Sequence, residues 1–133
     1  AIFNDDAIRA ARYALDGLTA RQEVISNNVA NIDTPGYNAQ QVDFESTMKI
    51  ALDNQTRNVT LSKTNSGHLG QESKTSDFMS VTNRLGGAYR EDGNNVDIDT
   101  ELMEMSATGI QYQAISQVLS KKLILLKTIA QGG

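Results

Sequence analysis

Side chains able to do acid–base or covalent chemistry are few in this chain. Its one histidine, His68, lies in Ser66-Gly67-His68-Leu69-Gly70. A Ser-His-Asp relay could be drawn from His68, Ser62 or Ser66, and Asp77. Nothing in the spacing, however, sets a serine on a strained elbow or supplies oxyanion donors. A histidine between glycines reads as a loop residue. The run Asp92-Gly93-Asn94-Asn95-Val96-Asp97-Ile98-Asp99-Thr100-Glu101 offers the oxygen ligands that calcium prefers. An EF-hand loop needs Gly at its sixth place and Glu at its twelfth. Counted from Asp92 those places hold Asp97 and Met103, and counted from Asp97 they hold Leu102 and Thr108. The run therefore reads as an Asp-Gly turn followed by capping of a helix by Asp97 or Asp99. Cysteine is absent, which removes disulfides, thiolate zinc sites and thiol catalysis. No phosphate-cradling Gly-rich loop appears. The expectation is a protein that is not an enzyme, with no catalytic residue, metal, cofactor or small-molecule substrate.

The segment with the most distinct chemistry is Asn27-Asn28-Val29-Ala30-Asn31-Ile32-Asp33-Thr34-Pro35-Gly36-Tyr37. It combines three asparagines, small apolar residues and a turn, and none of its groups is a strong nucleophile or base at neutral pH. That points to a structural role. Pro35 lacks a backbone N–H and disfavours helix at Thr34. Thr34-Pro35-Gly36-Tyr37 then predicts a type II turn.

Long helices flank this material. From Asp5 to Asn31, Ile8, Ala11, Leu15, Leu18, Gln22, Ile25, Val29 and Ile32 recur at alternating spacings of three and four, a heptad seam with one polar member. Phe44, Met48, Ala51 and Leu52 predict a short amphipathic helix. Residues 53–95 are rich in Asn, Ser, Thr, Lys and Gly and predict a loop-dominated excursion ordered largely by contact with something else. Val59-Thr60-Leu61 is a candidate short strand, as are Phe78-Met79 and Val81. Helical periodicity returns from Ile98 to about Ala130. One stripe carries Met105, Tyr112, Ile115, Leu119, Leu126 and Ile129, and an offset stripe carries Ile110, Ala114, Val118 and Leu125. Leu123-Ile124-Leu125-Leu126 is apolar on nearly all sides, so that helix must be covered on more than one face. Gly17 and Gly109 cost roughly 1 kcal/mol each against alanine inside a helix. Either they allow close approach in a crowded assembly or they are simply tolerated.

The fold class expected is mainly α: two long terminal helices packed as an antiparallel coiled-coil-like pair, with a short helix and a loop-rich centre holding little β structure. Residues 1–34 form the N-terminal core helix, 35–97 the turn, short helix and excursion, and 98–133 the C-terminal core helix, with both termini making one structural domain. The packing set is Leu15, Leu18, Ile25 and Val29 against Leu119, Leu123, Leu126 and Ile129, with Tyr112 and Ile115 on the same face. One pair leaves the second stripe bare, so partner molecules are expected to cover it. Composition agrees with burial shared among chains. Of 133 residues 39% are apolar, but 5% are aromatic and none is Trp, so material for a deep core is scarce. The net charge of −4, from 12 basic and 16 acidic residues, argues against a nucleic-acid surface. No run is long and apolar enough for a membrane span, and Ala1-Ile2-Phe3-Asn4-Asp5-Asp6 has no signal-peptide pattern.

NNVANIDTPGY after an N-terminal heptad helix resembles the signature of the bacterial flagellar basal-body rod and hook proteins. DGNNVDIDTELMEMSATGIQYQAISQVLSKKLILLKTIAQGG resembles the C-terminal helix of the rod proteins, and LSKTNSGHL resembles a segment shared by small rod proteins. The match covers most of the chain and is nearest to the proximal rod type. The resemblance implies a structural subunit that polymerises through its terminal helices into the base of a hollow periplasmic drive shaft, transmitting torque and enclosing the export channel. It implies type III export without a cleaved signal. The partners it implies are other copies of the chain, FlgC-type rod proteins, the FliE adaptor, the export gate and membrane-ring proteins. It marks Asn28, Ala30, Asn31, Thr34, Pro35, Gly36 and Tyr37 as assembly determinants. The alternatives are another axial protein of the FlgC type and a soluble coiled-coil adaptor.

Overall fold

The computed structural model describes residues 6–46, 48–49 and 79–132. The element order is α1 (Asp6–Ala30), β1 (Gln40–Asp43), β2 (Ser80–Asn83) and α2 (Ile98–Gly132). At 1.5 Å per residue α1 is about 37 Å long and α2 about 52 Å. They pack as an antiparallel pair, as the apolar periodicity predicts. Two hydrogen bonds set the register: Asn28 bonds Glu101, and Gln22 Nε2 donates to the Met105 carbonyl at 3.1 Å. Ile115 of α2 packs against the core cluster. Gln22, the polar member of the seam, thus satisfies itself on backbone.

That register corrects the expected pairing. The part of α1 bearing Ile25 and Val29 lies beside the first turns of α2, around Glu101 and Met105, and not beside Leu119–Ile129. α2, the longer helix, runs on past the start of α1. Leu119, Leu123 and Leu126 are partly buried, whereas Ile110, Val118, Ile124, Leu125 and Ile129 are each more than half exposed.

β1 and β2 form a two-stranded antiparallel sheet, with Gln40 opposite Asn83 and Asp43 opposite Ser80. The sheet lies on α1 and adds Val42 and Phe44 to a core of Ala14, Leu18 and Val24. The chain therefore builds its core from α1, α2 and the strand after the turn, a contribution that periodicity did not reveal. A helical turn follows Phe44: residues 45–46 and 48–49 are helical, Met48 N–H donates to the Phe44 carbonyl at 2.8 Å, and Asp43 Oδ1 caps the Ser46 amide.

Gly17 is explained within the chain. A Cβ there would fall 2.3 Å from Cγ of Phe44, so the missing side chain is the seat of that ring. The Arg21 guanidinium also lies over the ring, 4.7 Å from its centroid, and donates to the Val42 carbonyl and both Glu45 oxygens. A Cβ on Gly109 would meet Gln22 Nε2 at an ordinary 3.8 Å. The candidate strand at Val59–Leu61, the serines 62 and 66, His68 and Asp77 lie outside the described residues.

Candidate functional site

The asparagine-rich segment ends α1 and docks on residues 84–101, across about 60 positions of sequence. α1 stops at Ala30 and unwinds through short bonds: Asn31 N–H reaches the Asn27 and Asn28 carbonyls, and Thr34 N–H reaches the Asn31 carbonyl. Gly36 has φ +73° and Tyr37 N–H returns to the Thr34 carbonyl at 3.2 Å. That is the predicted type II turn, with glycine where a positive φ is required.

Asn28 is fully buried and uses its whole amide. Nδ2 donates to the Gln40 carbonyl at 2.8 Å and to Glu101 Oε2 at 3.1 Å. Oδ1 accepts from Gln40 N–H at 2.9 Å and from the Tyr37 hydroxyl at 3.1 Å. Two donors and two lone pairs are all engaged, a pattern that only a carboxamide side chain supplies. Glu101, also fully buried, gives its second oxygen to Arg84 Nη1 at 2.6 Å. A carboxylate without solvent is tolerable here because a guanidinium and an amide share its charge. Partial burial, and then the nearby Glu101 charge, raise the Tyr37 pKa above its ordinary value. The phenol therefore keeps its proton and remains a donor to Asn28.

Asn94, fully buried, caps the end of α1 from a distance. Its Nδ2 donates to the carbonyls of Asn31 at 2.9 Å, Ile32 at 3.0 Å and Thr34 at 2.9 Å. These carbonyls belong to the turns that follow α1, so Asn94 fixes the path the chain takes as it leaves the helix. The Arg90 guanidinium also donates to the Ile32 carbonyl. Asn94 is held in turn by Asp92 Oδ1, which accepts its N–H, and by Val96 N–H, which donates to its Oδ1. Gly93 (φ +82°) lets the 90–94 turn press onto the first turn: Gly36 N–H donates to the Asp92 carbonyl at 2.8 Å, and a Cβ on Gly93 would come within 3.4 Å of Gly36 Cα. Asn95 Oδ1 accepts Ala39 N–H at 2.6 Å. Asp97 Oδ1 accepts Asp99 N–H and so caps α2.

Within the acidic run Asp92 and Asp97 thus take backbone amides and Glu101 takes Arg84. Among the described residues no group of three or more His, Cys, Asp or Glu could hold a metal, and no helix is long and apolar enough to cross a membrane. Of the segment singled out in the sequence, Asn28, Asn31, Gly36 and Tyr37 serve this intramolecular clasp. Asn31 adds a bond from its Nδ2 to the Asn27 carbonyl and accepts the Thr34 hydroxyl. Ala30, Thr34, Pro35 and Gly36 are exposed. The sequence reading missed Glu101, Arg84, Asn94 and Asn95. Their signal was present in part, since Asn94-Asn95 after Asp-Gly repeats the asparagine chemistry of Asn27-Asn28, but nothing in one sequence pairs the two.

An Asn94→Asp chain should be destabilised near the top of the roughly 1–3 kcal/mol typical of a buried hydrogen-bonding group left unsatisfied, because a carboxylate would face three carbonyls. Urea denaturation followed by circular dichroism measures it, and hydrogen exchange at Gly36 should speed up in parallel. An unchanged midpoint would refute the remote cap.

The flagella basal body rod protein family model matches residues 8–38, the span of α1 and the turn after it. A flagellar basal body rod protein FlgB of Bacillus subtilis (strain 168) is 36% identical over 126 residues, 95% of this chain and 94% of the relative. The FlgB protein of Salmonella typhimurium (strain LT2) is 33% identical over 132 residues, covering 97% and 96%. That of Borrelia hermsii is 31% identical over 128 residues, covering 88% and 89%.

Proposed function

The chain belongs to the flagellar basal-body rod protein family and is a structural subunit of that rod; from this premise we propose that it forms the proximal, base-end part of the rod and polymerises there through its paired terminal helices. The name FlgB borne by its near-full-length relatives supports the proximal position over the FlgC type. In this reading the assembled helices enclose the export channel and carry torque along a periplasmic shaft. The subunit reaches that shaft by type III export. Its neighbours are further copies, FlgC-type subunits, the FliE adaptor, the export gate and the membrane ring.

The observation that carries the proposal is the bare apolar surface of α2. Ile110, Val118, Ile124, Leu125 and Ile129 are exposed on one helix, more apolar side chain than a lone helical pair covers and of the kind that marks an interaction surface. A subunit with such a surface along its length makes contacts that need not close a ring, and contacts of that type build open helical filaments.

Leu125→Asp tests this. Leu125 is 58% exposed, so the isolated chain should keep its helicity and melting profile. Cells carrying the variant should lack rods in basal-body images and be non-motile. Normal swimming with intact rods would overturn the helix-packing mechanism. Leu18 does not offer so clean a test, because it is buried within the chain and its replacement by Asp would disturb folding first.

A further inference from the structure

Among the described residues the two-stranded sheet has one sealed edge and one open edge. Gln40 and Val42 of β1 direct their backbone groups away from β2, toward α1. There Asn28 takes both the N–H and the carbonyl of Gln40, and Arg21 takes the Val42 carbonyl. By the alternation of an antiparallel ladder, with Thr82 opposite Gln41 and Ser80 opposite Asp43, the backbone groups of Val81 and Asn83 point outward on the far side. All four residues of β2 are exposed. Beyond Asn83 the chain runs into a groove lined by Arg84, Leu85, Gly86, Gly87, Asn95 and Ile98, among others, with a volume of about 470 Å³.

Two features of that groove point to a ligand. Asn95 is 8% exposed, and among the described residues its Nδ2 has no partner while its Oδ1 is held by Ala39. A buried amide donor without an acceptor is costly and therefore informative. Leu85, 94% exposed, lines the same groove. The wall carries Arg84 and Arg90 against Asp97, and Arg84 is already neutralised by Glu101. The occupant is therefore an uncharged acceptor carried with apolar side chains, not a free anion. Extended polypeptide meets each demand. Its N–H and carbonyl groups recur at the strand spacing that Val81 and Asn83 present, and its alternate side chains reach one face.

We propose that the outer edge of β2 and the groove after it are a docking site for an extended segment of a neighbouring rod subunit, which adds as a third strand and sets a main-chain carbonyl on Asn95 Nδ2. This rests on the reading of the chain as a polymerising rod subunit. In the assembled rod the segment covers Leu85 and removes the open edge, which would otherwise invite unspecific pairing.

Proline distinguishes the two edges of β2. Asn83→Pro deletes an outward N–H and leaves the ladder to β1 intact, a position where strands accept proline. Thr82→Pro deletes an inward N–H and should unfold the sheet. A photo-reactive residue placed at Leu85 in the full chain, in cells that build rods, reports the contact, and the cross-linked peptide is identified by mass spectrometry. The expected result is a cross-link to a non-helical segment of a rod subunit, with a yield reduced about tenfold or more by Asn83→Pro. The melting curve of the isolated Asn83→Pro chain should be unchanged. An equal yield from Asn83→Pro, or a cross-link only to a helical segment, would overturn the docking site. The Leu125→Asp test reads the rod function separately: loss of rods there with an unaltered Leu85 cross-link pattern in Asn83→Pro refutes this site and leaves the function standing.

Discussion

Glu101→Ala is expected to lower the stability of the isolated chain by about 3–5 kcal/mol, the usual effect of removing one partner from a buried ion pair. The substitution leaves the Arg84 guanidinium without its carboxylate and removes one of the four bonds of Asn28. For a domain whose whole stability is of order 5–15 kcal/mol, that is a large share, and part of the population should unfold. The cause can be separated from simple loss of volume. Glu101→Leu combined with Arg84→Met replaces the charges by apolar groups together, and such swaps are often close to neutral. The double variant should therefore recover most of what Glu101→Ala loses. Denaturation curves of the two variants decide the matter. If the single variant melts with the parent, the ion pair is not what joins α2 to the end of α1.

Gly17→Ala should be nearly as disruptive, although a helix-interior Gly→Ala change ordinarily stabilises by up to about 1 kcal/mol. Here the added methyl would stand 2.3 Å from Phe44 Cγ. The ring also carries the Arg21 guanidinium, 4.7 Å from its centroid, so moving it away would disturb that contact. An overpacked core commonly costs about 1–3 kcal/mol. Combining Gly17→Ala with Phe44→Ala removes the clash, and the double variant should then be no worse than Phe44→Ala alone. A thermodynamic cycle over the four chains measures this coupling. Additive effects would show that the ring does not use the space that Gly17 leaves open.

Much of the architecture was legible before any coordinates. The alternation of three and four from Ile8 to Ile32 required a long amphipathic helix, and Pro35-Gly36 required a stop and a turn with a positive φ, found at +73°. The second helix and its surplus of apolar faces were equally visible, because period and composition are local properties. The site was legible only in half. The sequence singled out Asn28, Asn31, Gly36 and Tyr37 as a motif without reactive groups, and they do form one structure. Their partners at positions 84–101 were read separately, as a turn and a helix start. The stretch from residue 79 to 95, expected to be ordered by outside contacts, is instead tied to the chain's own residues 32–39, between α1 and β1, by Asn94, Arg90 and Asn95.

What the sequence by itself determined is the set of elements and the faces they must bury, since helical period, proline and glycine act within a few residues of themselves. What the tertiary structure alone decided is the pairing. It set Glu101 rather than a solvent molecule on Asn28, a phenyl ring in the place of a missing Cβ, and the register that leaves the far part of α2 uncovered. These depend on distances between segments remote along the chain. A carboxylate on a helix reads as a surface charge until the guanidinium and amide that make its burial tolerable are seen to arrive from elsewhere.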